Sequence, residues 1–476
     1  MRPQTSAFSI MLADPPLREE PYSYLHPTFG LLYLAGAVRK AFARTDVDLV
    51  YQNGFCSLEQ HLRAIEEYKP HLYAISFKTP LARLACQTTN AVRAAFPNLP
   101  IIAGGVHSTA MPEDVLENSS VDACFRGECE QAFVDLIATW RGGRYRFENC
   151  AGAVFRQGGE YVHNCAPPLT KDINELAWPA WDLVDNSVFP GMAYERKPAL
   201  GVVVSRGCPW KCTFCSEPIW KINGSPTFRA RTPEDIALEV EYLYQRGIRE
   251  VRLWCEELNV NVKWACEVLE AIARLDHHDL FLNSNIRSDR MTPELADAMR
   301  NANLRLVCTG IESGSQRTLD ALLKDCRKEE IENSCAILRS RGIKVLGYFL
   351  LYPAWETDGH LEFEDTHAAL QTIRYALQLH QRGLLDYMSI GIATPRPSTP
   401  MWDTAKKYSL FRIPSARPFY YVAEGMSLPG ISRAEIRSTL LYARSVQAWI
   451  AMRTGGYEWR TFSEGLRKFI KPRRVR

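Results

Sequence analysis

Three cysteines fall within eight residues of one loop, and this spacing constrains the chain more than any other feature of its sequence. The segment SRGCPWKCTFC sets Cys208, Cys212 and Cys215 in a C-x3-C-x2-C arrangement directly after the apolar run 200–205. Three thiolates in one loop can hold three irons of a cubane cluster and leave the fourth open to a small chelating ligand, whereas full protein ligation of such a cluster takes four cysteines. A structural zinc site needs a fourth Cys or His to close its tetrahedron, and none lies in the loop or just beyond it. Inert buried thiols are the plain alternative, but they do not account for three cysteines packed so closely among Gly207, Pro209 and polar neighbours. The other cysteines, among them Cys255, Cys308, Cys326 and Cys335, show no paired C-x2-C spacing, so no second cluster is expected. They read as small core residues, with Cys255 and Cys308 standing at strand ends.

Around this loop the chain alternates short apolar runs with amphipathic stretches, the pattern of a parallel sheet covered by helices. In residues 1–145 the predicted strands are 8–13, 47–51, 72–76, 101–103 and 121–125, with helical spacing over 31–42, 58–68 and 81–96. Five strands with crossover helices make a doubly wound, Rossmann-like domain whose ligand lies beyond the carboxyl ends of the strands. Residues 146–197 break into RQGGE, APP, WPAWD and FPG, punctuation that predicts an irregular connector. Alternation resumes at 198 with predicted strands 200–205, 250–254, 280–283, 306–310, 344–351 and 387–392, and Thr232-Pro233 and Thr292-Pro293 mark helix starts. Six β/α units over 198–403 predict a (β/α)6 barrel, partial or full. Residues 404–476 read as a small, mostly helical cap with one helix over 434–453 and a solvated basic tail, KPRRVR.

The 476 residues suffice for two or three domains. Lys+Arg number 57 against Asp+Glu 54, a balance that argues against a general nucleic-acid or membrane-surface binder. No apolar stretch approaches the ~20 residues that span a bilayer, and the first residues lack the form of a signal peptide. A cytoplasmic protein is expected.

The cysteine motif, with Phe214 directly before Cys215 and a strand directly before the loop, resembles that of the radical S-adenosylmethionine (SAM) superfamily. That resemblance implies that Cys208, Cys212 and Cys215 hold a [4Fe-4S] cluster, that SAM chelates its open iron, and that an electron from the cluster yields a 5′-deoxyadenosyl radical. An external donor such as flavodoxin or ferredoxin is implied as well. CTGIESGSQRTLDALLK resembles the family's fourth-strand motif, which makes Glu312 a SAM contact and Lys324 a partner for the SAM carboxylate. LWCEELNVN resembles the segment after the second strand, where Glu256 or Glu257 replaces the usual aspartate. NSNIRSDRMTPELADAM resembles the third-strand segment and offers Asn285 and Arg287 as polar SAM contacts. Ser398 stands where family members often have glycine.

The first half lacks a G-x-G-x-x-G fingerprint after its first strand, which reads LADPPLREE. Its later strand ends carry SFKT, GGVHST and RGECE instead, and paired glycines there let a large flat ligand approach the backbone. These segments, with PTFGLLYLAGAVRK, resemble the amino-terminal domain of cobalamin-dependent radical SAM proteins. The resemblance implies cobalamin contacts at Ser76, Thr79, Gly104, Gly105 and Glu128. The D-x-H-x-x-G motif of cobalamin domains that ligate cobalt through histidine is missing, since Asp14 is followed by PPLRE. A lower axial histidine is therefore not expected, and His26 and His107 read as ordinary loop histidines. The whole resembles the class B radical SAM methyltransferases, which implies methylation of an unactivated carbon, or of a phosphinate phosphorus, in a small-molecule substrate. A cobalamin-dependent radical SAM cyclase without net methyl transfer is the rival enzyme, and a corrinoid-binding protein with a vestigial barrel is the rival of another class.

Overall fold

The computed structural model describes residues 7–17, 26–143, 145–185, 189, 195–217, 228–411 and 426–454. They form two compact units. The first holds the described residues up to 189 together with 216–217 and 228–231; the second holds 195–215, 232–411 and 426–454.

In the first unit, β1 (Phe8–Ala13), α1 (Phe29–Ala41), β2 (Val47–Gln52), α2 (Leu58–Tyr68), β3 (Leu72–Ser76), α3 (Ala82–Ala95), β4 (Ile101–Gly104), α4 (Val106–Ala110), α5 (Pro112–Asn118), β5 (Ala123–Phe125) and α6 (Glu130–Arg141) follow one another, and then β6 (Ala153–Gln157) and β7 (Glu160–His163). The sheet order is β2-β1-β3-β4-β5-β6-β7. The first five strands are parallel and the last two antiparallel. Strand side chains alternate between two cores: Ile10 and Leu12 pack with Leu31, Val38, Phe133 and Trp140, while Met11 and Ala13 pack with Ile65, Ala85, Val92 and Val115. Helices on both faces explain why these strands read as continuous apolar runs. The segment 146–197, expected as an irregular connector, begins instead with the β6–β7 hairpin, which extends the sheet. Its strands are short, and beyond the buried Ala153, Val154 and Phe155 the hairpin is mostly exposed around Gly158-Gly159, so its sequence resembles a loop.

The second unit contains β8 (Ala199–Val203) and β9 (Ser205–Arg206); β10 (Arg229–Ala230) belongs to the first. There follow α7 (Pro233–Gln245), β11 (Glu250–Trp254), α8 (Val262–Ala273), β12 (Phe281–Ile286), α9 (Pro293–Asn301), β13 (Leu304–Glu312), α10 (Gln316–Ala321), α11 (Lys328–Ser340) and β14 (Lys344–Leu351), then the hairpin β15 (Ala354–Thr357) and β16 (His360–Phe363), α12 (Thr366–Gln381), β17 (Tyr387–Ile392), α13 (Pro400–Lys407) and α14 (Arg433–Thr454). Six parallel strands pair in the sequential order β8-β11-β12-β13-β14-β17, with β8 and β17 at the edges: the (β/α)6 partial barrel. Thr232 and Thr292 cap their helices as their sequences predict, their hydroxyls accepting from Asp235 N and Leu295 N. Residue 204 and the end of β8 lead directly into the cysteine loop. Among the described residues no helix is long and apolar enough to cross a membrane. The basic tail 471–476 lies outside the described residues.

Candidate functional site

Residues 207–216 have no regular secondary structure, yet their backbone is pinned. Thr213 N donates to Leu322 O at 3.0 Å, Met401 N donates to Thr213 O at 3.0 Å, and Cys215 N donates to Cys212 O at 3.2 Å. Cys208, Cys212 and Cys215 are all half-buried, unlike Cys255, Cys308, Cys326 and Cys335, which are buried in the core. Among the described residues no three Cys, His, Asp or Glu side chains converge as ligands of a single ion. A pinned loop that presents three half-exposed thiols suits a cluster with one open iron.

The expected SAM residues come together around this loop. Burial pushes the Cys212 thiol up from its ordinary pKa; Lys324 and Arg287 oppose that shift, while Glu312 and Glu257 add to it. All four side chains therefore lie within electrostatic reach of one cysteine.

Glu312 and Lys324 form a buried ion pair, Nζ to Oε1 3.3 Å. The turn after β13 makes this possible. Glu312 adopts a left-handed φ of 63° where the pairing with β14 slips in register between Gly310 and Glu312. Gly310 lies beneath the pair: a Cβ there would fall on Glu312 Oε1 and 2.6 Å from Lys324 Nζ. Burial alone would lower the Lys324 pKa, but Glu312, Glu257 and Cys212 outweigh it and hold the ammonium above its ordinary value. Burial raises the Glu312 carboxyl while Lys324 opposes.

Glu257 is the acidic residue after β11 that joins them, since Glu256 is exposed. Burial pushes the Glu257 carboxyl up to about 7, against Lys324 and Arg287, and its buried Oε2 has no hydrogen-bond partner among the described residues. A buried unpaired carboxylate oxygen is costly to leave unsatisfied. It fits a site that receives a cationic or hydrogen-bond-donating ligand. Phe214 is half-buried in the same loop.

Asn285 and Arg287 are engaged by the protein itself. Asn285 Oδ1 accepts from Arg252 Nη2 at 2.6 Å and its Nδ2 donates to Cys255 O at 3.2 Å. Arg287 is 1% exposed. Its Nε donates to Asp289 Oδ1 at 2.7 Å, its Nη2 donates to the carbonyls of Lys324 and of Asp325, the latter at 3.0 Å, and its guanidinium lies 3.9 Å from the centroid of the Trp210 ring. Arg287, expected as a SAM contact, also braces the backbone at Lys324 and Asp325. Sequence reading did not single out Trp210 or Arg252. Arg252 was legible in EVRLW, where Glu250, Arg252 and Trp254 share one face of β11. Its Nη1 also donates to Asn283 Oδ1 at 2.9 Å, and Asn283 Nδ2 donates to Glu250 Oε1 at 2.7 Å, a polar ladder across β11 and β12.

In the first unit the expected cobalamin residues lie at the carboxyl ends of β3, β4 and β5. Ser76 and Gly104 are register neighbours. Gly105, with φ 92°, closes the turn; a Cβ there would meet Ser76 Oγ at 2.7 Å and Phe77 O at 2.9 Å. Gly104 is different, because a Cβ there would meet nothing within 4 Å. Bare backbone facing open space at a strand end fits the approach of a flat macrocycle. Thr79 is buried with its Oγ1 3.3 Å from His107 Nδ1, and His107 is wholly buried, its Nε2 3.5 Å from Asp114. His26 stacks on Phe29 with ring centroids 5.0 Å apart, and its Nδ1 donates to Pro27 O at 2.8 Å. Glu128, expected at the corrin, forms a largely buried ion pair with Arg229, whose Nη1 also donates to Thr170 O at 2.8 Å. Asp14, which takes the place of the missing histidine motif, is buried at the end of β1. It accepts hydrogen bonds from Thr28 Oγ1 at 2.6 Å and from Tyr51 OH.

Comparison with known proteins agrees with both halves of this geometry. Residues 202–370 match the model of the radical SAM superfamily and residues 20–137 that of the B12 binding domain. An uncharacterized methyltransferase of Pyrococcus horikoshii is 25% identical over 416 residues, covering 87% of this chain and 86% of its own. The anaerobic magnesium-protoporphyrin IX monomethyl ester cyclase of Cereibacter sphaeroides is 28% identical over 390 residues, 79% of this chain but 60% of its own. Among solved structures, the radical S-adenosylmethionine methyltransferase TsrM from Kitasatospora setae, with cobalamin and a [4Fe-4S] cluster bound, superposes with a TM-score of 0.69 over 91% of each chain at 16% identity. The fold and the cysteine loop thus define a radical SAM enzyme. With its B12 binding domain, the chain belongs to the cobalamin-dependent radical SAM family.

Proposed function

We propose that this chain is a methyltransferase that transfers the SAM methyl group to an unactivated carbon, or to a phosphinate phosphorus, of a small-molecule biosynthetic intermediate. The observation that carries the reading is the convergence of Glu257, Arg287, Glu312 and Lys324 on Cys212 within the second unit; the first unit separately offers an open strand end at Gly104. When bound, the cluster supplies the electron that cleaves one SAM molecule, and cobalamin carries the methyl group of another. The protein's own part is binding and orientation. Cys208, Cys212 and Cys215 hold the cluster, Lys324 pairs with the SAM carboxylate, Glu312 and Glu257 receive its ammonium, and Phe214 and Asn285 line the same site. Ser76, Thr79, Gly104 and Gly105 present the corrin with a smooth strand edge. The electron comes from flavodoxin or ferredoxin in the cytoplasm. The cobalamin region spans 1–145, the barrel 198–403 and the cap 404–476.

Turnover with methyl-deuterated SAM under strong reduction tests this reading. It predicts a product with the labelled methyl, together with both S-adenosylhomocysteine and 5′-deoxyadenosine. Deoxyadenosine with neither label nor S-adenosylhomocysteine would establish the second reading, a cyclase, which the 28% identity to the Cereibacter sphaeroides enzyme favours. Neither product would leave a corrinoid-binding protein.

A further inference from the structure

Trp210 occupies the centre of the C-P-W-K-C segment, two residues from Cys208 and two from Cys212. Its indole Nε1 is buried and has no hydrogen-bond partner among the described residues. A buried indole N–H almost always finds an acceptor, and leaving one unmet costs ~1–3 kcal/mol. The ring is held firmly all the same. The Arg287 guanidinium lies 3.9 Å from its centroid and that of Arg290 5.8 Å. Arg287 is itself fixed by Asp289, by the Lys324 and Asp325 carbonyls, and by Asn259, whose side chain accepts from Arg287 N at 2.8 Å and donates to Arg287 O at 2.7 Å. A cation against the π-face draws electron density from the ring. The N–H becomes more positive and a stronger donor. So much structure behind an indole whose N–H has no acceptor among the described residues points to an acceptor that arrives with the cofactor.

We infer that Trp210 donates its Nε1–H to a sulfur of the iron-sulfur cluster held by Cys208, Cys212 and Cys215, and that Arg287 is the positioning residue that fixes and polarises the donor. The inference rests on the cluster reading above. Hydrogen bonds to cluster sulfurs stabilise the more negative, reduced state and so raise its potential. Trp210 thereby makes the cluster easier to reduce by a weak cellular donor. Thr213 Oγ1 is also buried in this loop without a hydrogen-bond partner among the described residues.

The test is a redox titration, followed by electron paramagnetic resonance, of anaerobically reconstituted Trp210→Phe against the wild-type protein, both without SAM. Phe keeps an aromatic face for Arg287 and removes the N–H together with the five-membered ring, so a 15N-indole measurement isolates the donor from the lost volume. The equilibrium constant for reduction should fall about three- to tenfold, a shift of ~30–60 mV at 59 mV per decade for one electron. Arg287→Lys should shift it the same way by less. In wild-type protein labelled with 15N-indole tryptophan, pulsed resonance should show one indole nitrogen coupled to the reduced cluster, with an exchangeable proton that D2O removes. A Trp210→Phe protein with full iron content and an unchanged potential overturns the inference. So does a wild-type spectrum without indole coupling, which needs no variant to fold, and so does a coupling that appears only when SAM is added. Failure of the cluster reading is separable: there the Cys208→Ala, Cys212→Ala, Cys215→Ala protein would still take up a full complement of iron.

Discussion

A methyl group at position 310 would fall on the carboxylate of Glu312 and within 2.6 Å of Lys324 Nζ. Gly310→Ala should therefore displace the ion pair without emptying the cysteine loop, and SAM affinity should drop at least about tenfold, ~1.4 kcal/mol, with iron content unchanged. Titration of SAM into the reconstituted variant measures this, and wild-type affinity would show that the pair lies outside the SAM site. At this scale the sequence is informative where function depends on local spacing. The closeness of Glu312, Lys324 and the cysteine loop is legible because a loop or a single strand-to-helix turn sets the separations. Arg287 is legible as a residue, but its stack on Trp210 joins positions 77 residues apart in the chain and leaves no local mark. The partner of Glu128 is hidden for the same reason. Its carboxylate meets Arg229, 101 residues away, and a buried charge takes the partner the fold supplies.

Among the elements, parallel strands buried on both faces are plain in the sequence because period and hydrophobicity agree. The β6–β7 and β15–β16 hairpins escape because short, exposed antiparallel strands around Gly-Gly and Asp-Gly turns share their composition with loops. The junction of β1 and α1 depends on tertiary contact in another way. Thr28, at the N-cap of α1, makes no side-chain cap bond; its hydroxyl donates to Asp14 instead, as does that of Tyr51. Burial raises the Asp14 carboxyl from 3.8 to about 6, against the hydrogen bonds of Thr28 and Tyr51. A carboxyl whose folded pKa lies above its unfolded one favours folding while protonated. That contribution is complete below pH ~4 and is lost as pH rises through about 6. At ~1.4 kcal/mol per decade the span corresponds to roughly 3 kcal/mol. Asp14→Asn keeps the neutral form at every pH, so its melting temperature relative to wild type should climb by several degrees between pH 4 and pH 7. A difference that stays flat across this window would mean that Asp14 is ionised throughout.

For the whole molecule, each unit has its own sheet, and the two proposed cofactor sites lie at strand ends of different sheets. Damage to one should therefore spare the other. Gly104 is the position from which to test this, since a side chain placed there meets no protein atom at its Cβ within 4 Å. Its φ is not in the left-handed region, in contrast to Gly105 at 92°, so Gly104→Leu carries no left-handed backbone penalty and its Cβ enters open space. What it does is fill the space beyond β4 that a corrin ring would enter. Cobalamin uptake should fall by at least about tenfold, because a branched side chain under a flat macrocycle forces a gap that forfeits much of the van der Waals contact. The same protein should keep its full iron content and still cleave SAM to 5′-deoxyadenosine under strong reduction. Glu312→Gln should do the reverse, with weakened SAM binding and suppressed deoxyadenosine but undiminished cobalamin uptake. The two variants assayed side by side for iron, cobalamin and deoxyadenosine decide the matter. Wild-type cobalamin uptake by Gly104→Leu would move the corrin away from the β4 end, and loss of cobalamin from Glu312→Gln would mean that the two sites do not form independently.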